Sequence, residues 1–130
     1  MRTERLKTLA VAAITLAASS LWSAETATQT AWSILQNAAA DGSADKRTNA
    51  ARALGLIPRD PRATTMAEKA LDDEKTEVRA AAAAALGEMD AQGSISKLQK
   101  ALSDKEPKVV LAAARSLVQL KDNGPAYEVF

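Results

Sequence analysis

Apolar side chains recur along this chain at helical spacing, and nowhere do they alternate with polar ones over a sustained stretch. Ala63, Met66, Ala67, Ala70 and Leu71 fall at i, i+3, i+4, i+7 and i+8, the stripe that one face of an α-helix turns toward a core. A polar break at Asp72-Asp-Glu-Lys75 follows, then Val78, Ala81, Ala82, Ala85, Leu86 and Met89, again one helical face. The same couplet stands on either side. Ala31, Ile34, Leu35 and Ala38 precede Ala50, Ala53, Leu54 and Ile57; Ile95, Leu98 and Leu102 precede Val109, Ala112, Ala113, Leu117 and Leu120. Punctuation agrees with these helices. Asp60-Pro61 offers an N-cap with proline at the first helical position, and Pro107 can open its helix in the same way. Gly42, Gly93 and Gly124 fall in the breaks, where a positive φ is affordable. No strand is predicted.

The couplets are copies of one another. Leu71 to Gly87 aligns with Leu102 to Val118 at a constant offset of 31, and with Ala39 to Gly55 at an offset of 32. The copies occupy about 27–57, 61–89 and 94–120, with the start of a fourth at Pro125-Ala-Tyr-Glu-Val-Phe130. A hairpin with so much alanine in its buried stripe brings its helix axes close together but covers little surface. It cannot offset its own ordering entropy and must lean on its neighbours. The prediction is an all-α chain, an α-solenoid of three stacked helix pairs stabilised by nearest-neighbour contacts.

The first 24 residues read differently. Arg2, Arg5 and Lys7 stand against a single Glu4, and a 17-residue uncharged run from Thr8 to Ala24 follows, most apolar at Leu9 to Leu16 and ending in small residues. That is the order of a secretory signal peptide, and it predicts an exported protein, periplasmic or extracellular. An uncleaved anchor or an ordinary helix has a similar composition. Residues 25–130 then form the repeat domain, and once the leader is gone no stable membrane span is expected.

Composition narrows the chemistry. The chain has no histidine and no cysteine, and only 3% of its residues are aromatic. His or Cys metal sites, Ser-His and Cys-His nucleophiles and thiol redox chemistry are thereby excluded. Removing the leader takes three basic and one acidic residue from totals of 17 and 16, leaving a net charge of −1. A near-neutral surface with few aromatics does not suit nucleic acid. No cofactor or metal is expected: Asp72-Asp73-Glu74 is the densest acidic cluster, but it lacks the spacing of a calcium loop. An enzyme is not expected.

Leu-x-Asp-x-x-x-x-Val-Arg-x-x-Ala-x-x-Ala-Leu-Gly, as it stands in Leu71 to Gly87, resembles the HEAT-repeat consensus, in particular the short HEAT-like repeats of the phycocyanobilin lyase type. The resemblance covers about residues 27–122. It implies that an Asp in the turn within each pair and an Arg six positions later form a ladder between neighbouring copies, the Asp also capping the second helix. Asp41 and Arg47 match, as do Asp73 and Arg79; Asp104 is present, but Val110 replaces its Arg. Lys46 replaces the Val of Val78 and Val109, as in an atypical first copy. HEAT-like deoxyhypusine hydroxylases hold iron with His-Glu pairs, which this chain cannot form, and nothing in it marks a tetrapyrrole site.

The resemblance also implies that second helices line a concave surface. Arg52 and Arg115 occupy equivalent positions there. With Lys46 and Lys108 they are candidates to contact an acidic partner, or else belong to a solvated face. Trp32 is expected to cover the open end of the stack or to anchor a partner. The functional expectation is a non-catalytic scaffold for a protein partner. An accessory lyase-like or chaperone-like subunit of an enzyme complex, or a piece of a longer repeat array, are the alternatives.

Overall fold

The computed structural model describes residues 23–121, so most of the expected leader and the start of a fourth copy lie outside the described residues. The chain divides between Ile34 and Leu35 into two compact units. In the first, residues 23–34 are helical. The hydroxyls of Thr26, Thr28, Thr30 and Ser33 donate to carbonyls three or four residues back, a local satisfaction suited to a solvated helix. Trp32 is half-buried. Ala31 is exposed and Ile34 is 64% exposed, although the apolar stripe puts both in the core. Periodicity identifies an apolar face but does not provide a neighbour to cover it.

The second unit opens with helical residues 35–39 (α1). It continues as α2 (Ala44–Leu54), α3 (Pro61–Ala70), α4 (Thr76–Glu88), α5 (Ile95–Ala101) and α6 (Pro107–Gln119). Among the described residues there is no strand. Helix starts follow the local chemistry. The Asp60 carboxylate accepts the amides of Arg62 and Ala63 at 2.8 and 3.2 Å, ahead of Pro61 at the first position of α3. Pro107 opens α6, where a missing N–H leaves no helical bond unmade.

Two hairpins are complete: α3 packs on α4 and α5 on α6, while α2, α4 and α6 lie side by side. The most extensive packing is between these second helices, α4 against α6 above all. Their core columns repeat with the copies. Leu54, Leu86 and Leu117 are each 1% exposed or less, and Val78 and Val109 stack the same way. Burying one such leucine contributes about 1.5–3 kcal/mol. Small residues set the separation. A Cβ placed on Gly87 would lie 2.9 Å from the Ser116 Cα, and one on Gly55 would lie 3.2 Å from the Ala85 Cα. The glycine that ends each Leu-Gly therefore admits the next helix to near backbone contact. The Ser116 hydroxyl, fully buried there, donates to the Ala83 carbonyl at 2.7 Å.

Among the described residues positive φ falls on no glycine, Gly42 and Gly93 included; Gly124 lies outside the described residues. The left-handed residues are Arg59, Asp90 and Lys121, at φ 56°, 57° and 65°, spaced 31 apart like the copies themselves. At the end of α4 the amide of Asp90 reaches the Gly87 carbonyl and that of Ala91 the Leu86 carbonyl, both at 3.1 Å. This double bond pattern closes a helix with one left-handed residue. Asp tolerates that conformation better than most side chains. The helix terminus dictates the backbone here, and the residue follows.

Candidate interaction surface

The turn inside each pair begins with an aspartate that organises the backbone ahead of a second helix. Asp41, Asp73 and Asp104 accept the amides of Ser43, Lys75 and Glu106 at 2.8, 2.9 and 2.9 Å. Those acceptors stand two residues before the N-cap positions of α2, α4 and α6, which make no side-chain capping bond. The aspartates therefore tighten the turn; they do not cap the helix, as the sequence reading has it. In each, Oδ1 takes that backbone amide, which leaves Oδ2 for a cation.

That oxygen and its neighbour take an arginine from the preceding copy. Arg47 donates through Nε and Nη2 to Asp73 at 2.7 and 3.0 Å, and Arg79 does the same to Asp104 at 2.8 and 3.0 Å. The Nη1 of each arginine donates backward, Arg47 to the carbonyls of Asp41 and Gly42, Arg79 to those of Asp73 and Glu74. Each guanidinium thus ties its own turn to the next one. These bidentate bonds hold the Asp73 and Asp104 carboxyls below the ordinary carboxylate range and raise the arginines above theirs. Arg79 is only 8% exposed. Its donors are consumed internally. Asp41, at the first turn, is held low by the Ser43 amide and then by Lys46, whose Nζ lies 2.9 Å away.

The opposite side of the second helices is open. A groove of about 700 Å³ runs along α4, with Ala80, Ala81 and Ala84 as its floor. Arg52 and Leu56 rise from the α2 side, and Lys108, Leu111 and Arg115 from α6. Leu56 is 80% exposed and Leu111 is also exposed, large apolar side chains left in water beside an apolar floor. Lys108 faces Glu77 at 4.0 Å across one end, and Glu88 stands at the other. Arg52 and Arg115 are exposed and, among the described residues, neither has an ion-pair or side-chain hydrogen-bond partner. Of the four basic candidates the groove gathers Arg52, Lys108 and Arg115; Lys46, turned to Asp41, is not part of it.

Comparison with known families matches HEAT repeats over residues 64–128, half of the chain. The chain belongs to the HEAT-repeat family. A search of curated proteins finds no match.

Within this HEAT protein two further links between copies were not singled out by motif reading. Arg59 and Asp90, the left-handed residues that end successive copies, pair through Nη2 at 2.7 Å, and Lys121 adds a favourable charge to Asp90. Asp90 is held low first by the Gln92 amide and then by Arg59. The alternation of basic, acidic and basic residues at an interval of 31 was the available signal. Glu68 of α3 accepts from the Ser94 hydroxyl at 2.7 Å and from Lys97 at 2.6 Å. Burial opposes its ionisation, and these two donors outweigh it. No repeated motif marks this contact.

Proposed function

We propose that this HEAT-repeat chain is a non-catalytic scaffold that binds a protein partner in the groove of its second helices. HEAT repeats generally mediate protein–protein interaction. The observation that carries the assignment to this face is a contrast between arginines. Arg47 and Arg79 spend their donors on aspartates of the next copy, whereas Arg52 and Arg115, beside exposed Leu56 and Leu111, spend none. A preformed helical face also binds with little ordering cost. Photocrosslinking in the source cells tests this, with a photoreactive residue at Ala84 in the groove or at Lys100 on α5. Adducts at Ala84 and none at Lys100 are expected; adducts at Lys100 alone, or at neither site, refute the assignment.

Two finer parts of the reading are also proposed. Residues 35–40 with α2 make the first of three stacked pairs, supported by Gln36, Ala39 and Ala40 lining a crevice with Ala51 and Leu54 of α2 and Met66 of α3. The scaffold works outside the cytoplasm, a reading supported by the basic, apolar and small-residue order of residues 1–24. Fusing those residues to a phosphatase active only after export should give activity that Leu16→Arg abolishes. No activity from the parent fusion refutes export.

A further inference from the structure

We propose that the occupant of the groove is an amphipathic helix of about three turns, with an apolar stripe bounded on both flanks by carboxylates; this rests on the groove being the partner-binding face. The shape selects a helix. Packed helix axes stand about 8–10 Å apart, so α2 and α6, each packed on α4, are separated by about 16–20 Å. The wall helices themselves take up about 5–6 Å on each side and leave a trough of about 4–10 Å, so a ligand helix about 10–12 Å across rests on both walls and lowers one row of side chains toward the methyl groups of Ala80, Ala81 and Ala84. An extended segment fits less well. It needs backbone donors and acceptors from its host, and helical walls have already used theirs internally.

Length and charge fix the rest. From Glu77 to Glu88 the groove follows 12 residues of α4, 11 rises of about 1.5 Å that make about 16 Å, or three turns. Residues at i, i+3, i+4 and i+7 of a bound helix then face alanine, where small or branched aliphatic side chains fit. Arg52 on one wall and Arg115 on the other occupy equivalent positions in their copies, with Ala84 between them. Arg52 also sits in the last turn of α2, where a cation complements the helix dipole; Arg115, in mid-helix, has no such role. Both guanidiniums have donors to spare, and a carboxylate on each flank of the ligand satisfies them in the fork geometry that the ladder arginines already use. Glu88 makes the far end of the groove unfavourable to acid. Glu77, which Lys108 faces at 4.0 Å, does the same at the near end, so the carboxylates belong beside the middle of the ligand, level with Arg52 and Arg115.

The test pans the full chain with two displayed peptide libraries. One has a helix-forming frame with an aliphatic stripe and randomised flanks; the other is a proline-containing linear library. Binders are then measured against Ala84→Phe, which fills the floor, and against the double variant Arg52→Glu, Arg115→Glu, both checked for unchanged helicity. Enriched helical peptides with Asp or Glu on both flanks are expected, losing at least tenfold in affinity to either variant. Helical binders lost on Ala84→Phe but carrying neutral or basic flanks, or unaffected by the arginine reversal, overturn the acidic helix and leave the groove reading standing. Linear binders lost on Ala84→Phe do the same. If no binder from either library depends on Ala84, both readings fall together.

Discussion

Gly87→Ala separates two effects by the sign of its result. Gly87 lies within α4 with ordinary helical neighbours. In an isolated helix the substitution stabilises by about 0.8–1 kcal/mol, because glycine surrenders more backbone freedom than alanine. In this fold the added methyl meets α6. Its carbon would lie 2.7 Å from the Cβ of Ser116 and 2.9 Å from its Cα, and a backbone atom cannot swing aside as the end of a flexible side chain can. Overpacking of this kind costs about 1–3 kcal/mol. Displacing α6 also weakens the buried bond from the Ser116 hydroxyl to the Ala83 carbonyl, for a further ~1 kcal/mol. The net expectation is a loss of about 1–3 kcal/mol. For a domain of this size each kcal/mol moves Tm by about 4–8 °C. Thermal and urea unfolding followed by circular dichroism at constant protein concentration should therefore show a clear fall in Tm. Gly42→Ala is the control, since nothing stands within 4 Å of its added carbon, and it should change Tm much less. A rise in Tm for Gly87→Ala would show that the close approach of α4 and α6 is absent in solution.

Other outcomes follow from the same packing. Ala82→Glu places a carboxylate at a position with 0% exposure and should abolish the cooperative melt; an unchanged melt removes Ala82 from the core. Arg79→Ala leaves the Asp104 carboxylate without its bidentate partner and the Asp73 and Glu74 carbonyls without a donor, so urea unfolding should report a loss of about 1.5–3 kcal/mol. No loss would put Arg79 on the solvent side. Because the Asp73 and Asp104 carboxyls are held low in the folded protein, the stability they contribute is present above the unfolded carboxyl pKa near 4 and is lost as pH falls through their folded values. Tm measured from pH 6 down to pH 2 should fall through the acid range, and Asp73→Asn, Asp104→Asn should flatten that limb; a parallel decline in both proteins refutes the linkage.

The local code of this chain sufficed for its helices. The stripe Val78, Ala81, Ala82, Ala85, Leu86 lies on one α-helix and Met89 at its C-cap, with every member buried, because a 3.6-residue period is a property of a single helix and needs no partner to be read. The Asp60-Pro61 cap and the Pro107 start were legible for the same reason. The interval of 31–32 residues also revealed that neighbours are alike, and with them the turn aspartates and the arginines of the second helices. Arrangement in space was another matter. That Arg47 and Arg79 reach forward to Asp73 and Asp104, while Arg52 and Arg115 face open groove, depends on how far α4 is rotated against α2 and α6. Rotation is set by contacts such as Gly87 against Ser116, between residues 29 apart whose meeting no local pattern encodes. The left-handed positions went the same way: the helix ends demanded them of Asp90 and Lys121, and Arg59 adopts one in the loop before α3, where its amide donates to the Met89 carbonyl at 3.1 Å. Ile34 and Ala31 mark the limit from the other side, an apolar stripe left in water because burial requires a covering surface that only the folded chain can supply.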